Sequence, residues 1–206
     1  MRKITTKRPV YPVSVGSAYF CLIKSKADRE IVYEDEVIEV PTIKTLELSR
    51  EVSELTVWAS GQIYDHLSRT VGGDINLNAV ILPPDLLREI EGNSGVDGSV
   101  IGRINDIERE FAFGYWGENS DGSKVYIWHP VCKLTPTAET YQTRTDQMDD
   151  PQRNYAVKII PFDSYWIYRY YTQKRIEAGY KPLSVDEFFL HPIFKDEMLP
   201  VHDPLP

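Results

Sequence analysis

Apolar and polar positions alternate most cleanly over residues 74–81: Ile75, Leu77, Ala79 and Ile81 point one way, Asp74, Asn76 and Asn78 the other. That pattern predicts a strand with one dry face and one wet face. Residues 42–49 repeat it, with Leu46 and Leu48 set against Thr45 and Glu47. Residues 14–24 and 31–40 are rich in Val, Ile, Tyr and Phe, and Ala27-Asp28-Arg29 offers a turn between them. Residues 110–118 and 124–134 flank Asn119-Ser120-Asp121-Gly122 and predict a hairpin. The Thr-rich residues 135–152 read as a linker or extended edge, and residues 153–161 as a last strand. One short helix interrupts this β-rich stretch. Pro83-Pro84-Asp85 opens it, Leu86, Leu87 and Ile90 give it an apolar side, and Gly92 stops it.

Two segments depart from that regularity. Residues 50–73 hold Gly61, Gly72 and Gly73 but no helical period, and so read as a long inter-strand loop. A connection of that length in a compact domain tends to be functional, and Trp58 and Tyr64 within it suggest that it packs on something. From Phe162 the character turns helical: Asp163 or Ser164 can cap a helix carrying Trp166, Ile167, Tyr170, Tyr171 and Ile176 up to Gly179. Ser184 and Glu187 have capping-box spacing and open a second short helix. The large apolar residues of the first helix must bury on the chain's own barrel or on a neighbouring subunit.

Composition adds bounds. The chain has 206 residues, 42% hydrophobic and 26% charged, which excludes a largely disordered or fibrous protein. The net charge of −8 is uneven, because Arg2, Lys3, Lys7 and Arg8 place +4 in the first eight residues. An acidic body repels phosphate and lacks the basic footprint of a nucleic-acid binder. The basic arm is either solvated or docked on the acidic surface of a neighbouring copy. Cys21 and Cys132 alone make no disulfide framework, so a reducing compartment is expected. No run reaches the ~20 apolar residues of a membrane span, and folding in the cytoplasm is expected.

The search for catalytic chemistry is thin. Gly92-Asn93-Ser94-Gly95 falls one residue short of a nucleophile elbow and follows a helix, the wrong order of elements. Gly95, Gly98 and Gly102 have no following Lys-Ser/Thr to make a phosphate loop. His129 and Cys132, three apart in a strand, are expected to face opposite sides and not to form a metal pair. His66, His191 and His202 have no companion at ligand spacing, and Asp149-Asp150 reads as a solvated turn. No group has the partner that acid–base or nucleophilic work requires, so neither enzyme activity nor a cofactor or metal is expected.

In its order of elements the chain resembles the major tail proteins, or tail tube proteins, of long-tailed, non-contractile bacteriophages. Three segments carry the likeness. The first is the strand–long loop–strand–short helix unit of residues 40–91, with Leu46-Glu47-Leu48, Val57-Trp58-Ala59-Ser60 and Leu86-Leu87-Arg88-Glu89-Ile90. The second is the hairpin of residues 111–134, with Gly114, Gly122 and Tyr126-Ile127-Trp128. The third is the Thr-rich passage of residues 140–160. Together they span about 120 residues. Residues 162–206 go beyond the family's pattern.

The resemblance implies a mainly β, tail-tube type β-sandwich or barrel with one short flanking helix. Residues 1–161 would form that domain, with an arm at 1–12 and a long contact loop at 50–73, and residues 162–206 a C-terminal helical extension. Hexameric rings would stack into a tube in the phage virion, assembled in the host cytoplasm, with each sheet completed only by joining copies. Glu47, Ser49, Asp74, Asn76 and Asn78 would line an acidic lumen through which DNA passes without specific binding. Arg2, Lys3, Lys7, Arg8, Trp58, Tyr64, Trp166 and Tyr170 would make contacts between subunits or rings. Partners would be the chain itself and the tape measure, terminator and distal tail proteins, with no membrane. A tail terminator or head–tail joining ring protein, or a host-surface binding tail component, is the alternative. A hydrolase would have to rest on His129.

Overall fold

The computed structural model describes residues 10–95, 98–135 and 152–200. Its elements in chain order are β1 (Pro12–Ala27), β2 (Glu30–Tyr33), β3 (Ile38–Val40), β4 (Ile43–Ala59), β5 (Gln62–Ala79), α1 (Pro84–Ile90), β6 (Phe111–Asn119) and β7 (Lys124–Thr135). They continue with β8 (Arg153–Ile159), β9 (Tyr168–Tyr171), α2 (Thr172–Glu177) and α3 (Val185–Phe188). Strands account for 55% and helices for 12%, so the chain is mainly β.

Hydrogen bonding orders the strands β2-β1-β6-β7-β8-β5-β4, with β3 added to β1 and β9 to β7, all antiparallel. The strand β3 pairs with β1 through Ala18↔Val40 and Phe20↔Ile38. Only Pro41 and Thr42 separate it from β4, at the far end of that order. One run of chain thus ties the two ends of the sheet together, and the wall wraps around a single interior. Ala18, Phe20, Leu22, Ile75, Leu77, Phe111, Phe113, Val157 and Ile159 fill it, and α1 adds Leu86 and Ile90. Among the described residues β4 pairs with β5 alone, so the sheet is left open along the outer edge of β4.

The opposite face of β1, β6 and β7 is covered as well. Tyr19, Cys21, Ala112, Tyr126 and Trp128 pack against Tyr170, Phe188, Phe189 and Ile193 of the C-terminal segment. Phe189 stacks on Tyr19 with centroids 4.0 Å apart and planes 7° apart. A strand dry on both faces loses its alternation, which is why residues 18–23 read as an unbroken apolar run.

The helix expected from Asp163 to Gly179 is corrected. Asp163 and Ser164 take φ of 46° and 71° in a tight turn that bridges Phe162 to Tyr165. The chain then runs extended, with Trp128↔Tyr168 and Tyr126↔Tyr170 paired across β7 and β9. Tyr168 and Tyr170 share the outer face at period two, while Trp166 and Ile167 pack on the inner core. Helix appears only as the six-residue α2, followed by Gly179 at φ 84°. The second short helix is as expected. Ser184 Oγ accepts from Glu187 N at 3.2 Å, and the Glu187 carboxylate accepts from Ser184 N at 2.8 Å.

Candidate assembly interface

Residues 50–73 are corrected from a loop to the outer halves of two long strands. The strand β5 pairs with β8 only from Gly73↔Ile159 to Ala79↔Arg153. Beyond Gly73 it pairs with β4 alone, from Val52↔Thr70 out to Ala59↔Gln62. Ser60 and Gly61, at φ 53° and 77°, make the two-residue turn that a twisted hairpin favours. At ~3.3 Å per residue this two-stranded arm projects roughly 30 Å.

Register sorts its side chains. Ser53 faces Arg69, Leu55 faces Leu67 and Val57 faces Asp65; Glu54 faces Ser68, Thr56 faces His66 and Trp58 faces Ile63. Tyr64 is the extra residue of a bulge between the last two steps. Thr56 Oγ1 lies 3.0 Å from His66 Nδ1. Tyr64 is 78% exposed and Trp58 65%, and Ile63, Leu55 and Leu67 are each more than half exposed. Among the described residues no strand pairs with the outer edge of residues 50–59 or of residues 62–72, so both edges offer unpaired backbone groups.

The base of the arm is held from three sides. Lys158 Nζ lies 2.7 Å from the Glu51 carboxylate and 3.4 Å from that of Asp74, and the Glu51 bond raises the Lys158 pKa. The Arg50 guanidinium lies over the Trp166 ring at 5.3 Å. Gly73 lets the strands approach, since a Cβ there would stand 2.6 Å from the Ser49 carbonyl oxygen.

Below the arm, the five residues expected on a wet face do lie on one face. Glu47 pairs with Asn76, Ser49 with Asp74, and Asn78 donates to Asn154 Oδ1 at 2.7 Å. Lys158 and Lys133 join the same row as Asp74. The face is therefore polar with paired charge, and not uniformly acidic. Sequence reasoning missed Lys158, although Asn154, Ala156 and Lys158 alternate with Tyr155, Val157 and Ile159.

Other expected contact residues are placed differently. Tyr170 is 3% exposed inside its own chain and has no ring to offer a neighbour. Trp166 is half-buried beneath Arg50. Arg2, Lys3, Lys7, Arg8, His202 and Asp149-Asp150 lie outside the described residues. His66 sits on the arm, and His191 is exposed.

His129 and Cys132 are corrected too. Phe113 pairs with His129 and Phe111 with Cys132, so a bulge inserts an extra residue between them. Both then face the inner core: Cys132 belongs to it, and the His129 ring stacks on Tyr115. His129 Nδ1 donates to the Trp166 carbonyl at 2.8 Å, and its buried Nε2 has no partner among the described residues. Burial pushes the imidazole down to about 4. Because the folded ring holds its proton more weakly than the unfolded one, this contribution is complete above about pH 6.5. It is lost as pH falls toward 4, by about 3 kcal/mol. Urea unfolding at pH 7, 5.5 and 4 should show that loss, and His129→Gln should flatten it. A variant with the parental pH slope would overturn the assignment.

Burial pushes the Cys21 thiol up to about 12, and that of Cys132 higher still. Among the described residues no three His, Cys, Asp or Glu side chains come together to hold a metal ion. No helix there is long and apolar enough to cross a membrane. Compared with models of known protein families and with curated proteins, the sequence matches none.

Proposed function

We propose that the protein is a structural virion protein that assembles into stacked rings and forms the tube of a phage tail, a conduit for DNA. The observation that carries this reading is the two-stranded arm, which among the described residues is free on both faces and both edges. An isolated two-stranded ribbon is marginal in water, so a second surface is needed to complete it. Its eight large apolar side chains, 37–78% exposed, present roughly 800 Å², about one partner's share of a standard interface.

The arm's two edges belong to antiparallel strands. The free edge of β4 on one copy therefore continues the alternation when set against the free edge of β5 on the next. Repeated around an axis, that head-to-tail step makes a closed ring with no edge left over. Six copies per ring follow from the family resemblance. The polar face of Glu47, Ser49, Asp74, Asn76 and Asn78 would line the bore. Amides and carboxylates make up most of that face, and Lys158 is already held by Glu51 and Asp74, so phosphate would find little to grip and DNA would slide through. Tape measure, terminator and distal tail proteins would cap or fill the tube. The host-surface reading loses support, because Tyr170 of the C-terminal segment is spent on internal packing.

Negative-stain imaging of the concentrated full chain tests the proposal. Hollow rings and tubes are expected. Rings that never stack would point to a terminator or joining protein, and single particles at every concentration would sink the assembly reading.

A further inference from the structure

The loop between α1 and β6 displays Val100, Ile101, Ile104 and Ile107 at 54, 50, 103 and 82% exposure. Single exposed aliphatics are ordinary, but four within eight residues mark a contact surface. The display is built. Ser94 and Ile101 exchange both backbone hydrogen bonds, at 3.2 and 2.7 Å. Arg103 N donates to the Asp106 carboxylate at 2.7 Å and Asp106 N to the Arg103 carbonyl at 3.1 Å, so Ile104 stands at the corner of a closed turn. Arg109 N donates to the Ile90 carbonyl at 2.7 Å and anchors the loop on α1.

Its position matters as much as its chemistry. The loop enters β6 at Phe111, beside Leu22 near the C-terminal half of β1. The run from β3 into β4 passes Phe20, then Ala18, and heads toward the N-terminal end of β1. The arm thus leaves the barrel at the end opposite the loop. Two apolar surfaces at opposite ends of one molecule meet by translation and not by a two-fold rotation, which makes a contact that propagates.

We infer that the loop of residues 98–108 is the axial socket for the arm tip of a second copy. Trp58, Ile63 and Tyr64 of one copy rest on Val100, Ile101, Ile104 and Ile107 of the next. This rests on the stacked-ring reading above and names the partner surface within it. The exposed area of the seven side chains is roughly 1,000 Å², the lower bound of a specific interface, and a ring repeats it at every subunit. The edges of the arm join neighbours within a ring, and its tip joins ring to ring.

The test uses the full chain carrying Tyr64→Cys and Ile104→Cys together, assembled and mildly oxidised. The native thiols are buried and do not compete. A covalent ladder running beyond dimer is expected, with neither single variant cross-linking. No ladder, or a dimer from Ile104→Cys alone, overturns the inference. In a second arm, Ile104→Ser with Ile107→Ser should leave the melting temperature unchanged and give single rings in place of tubes. Tubes of parental length from that variant would overturn the axial contact while leaving the ring reading intact. A parent chain that never self-associates would overturn both.

Discussion

Replacing residues 52–71 by Asn-Gly should leave a folded barrel that no longer assembles at any concentration. Glu51 and Gly72 are already paired across β4 and β5, and a two-residue turn suits strands at that spacing. The excised stretch contributes nothing to any of the three buried clusters, so the thermal midpoint of the barrel should move little. Its removal takes away both free edges and the apolar tip at once. Sedimentation velocity should show one monomeric boundary where the parent shows large species. The stub keeps Lys158 paired with Glu51 and Asp74, so its base remains ordered. Tubes formed by the shortened chain would remove the arm from the assembly account.

The largest loss of stability is expected from Phe189→Ala. The Phe189 ring is 3% exposed and contacts Tyr19, Tyr126, Trp128 and Phe188. Truncating a buried phenylalanine costs about 3–5 kcal/mol, from lost transfer energy and the cavity left behind. Against a typical total of about 5–15 kcal/mol, that is enough to loosen the whole C-terminal segment. The urea midpoint should fall sharply, and protease should cut within residues 162–200 before the barrel opens. Tyr171→Ala, at a ring already 37% exposed, should change the midpoint far less. Equal effects from the two substitutions would mean that the outer aromatic layer does not hold this segment in place.

The arm was hidden in the sequence for a physical reason. Alternation reports a strand only where one face is dry, and residues 50–58 and 60–69 are exposed on both. With Gly61, Gly72 and Gly73 present, the same residues satisfy the signals of a loop. The opposite failure occurred at Trp166–Tyr171, where aromatic residues fit a helical and a two-residue period equally well over so short a span. There the pairing with β7 decided the outcome. Trp58 and Tyr64 could be singled out as exposed aromatics from sequence, whereas Tyr170 could not be recognised as internal. Its burial depends on Phe188, far enough along the chain that no local rule relates the two.

What the sequence determined alone is local. Alternation set the dry and wet faces of residues 74–79, turn chemistry placed the hairpin at Asn119-Ser120-Asp121-Gly122, and prolines and a capping box opened α1 and α3. Each of these depends on residues a few positions apart. The tertiary structure decided the rest: the wrapping of the wall through Pro41, the bulge that turns His129 and Cys132 to one side, and the pairing of Lys158 with Glu51. Those features arise where strands distant in sequence are brought to hydrogen-bonding distance, and cross-strand neighbours leave no periodic trace in the chain that carries them.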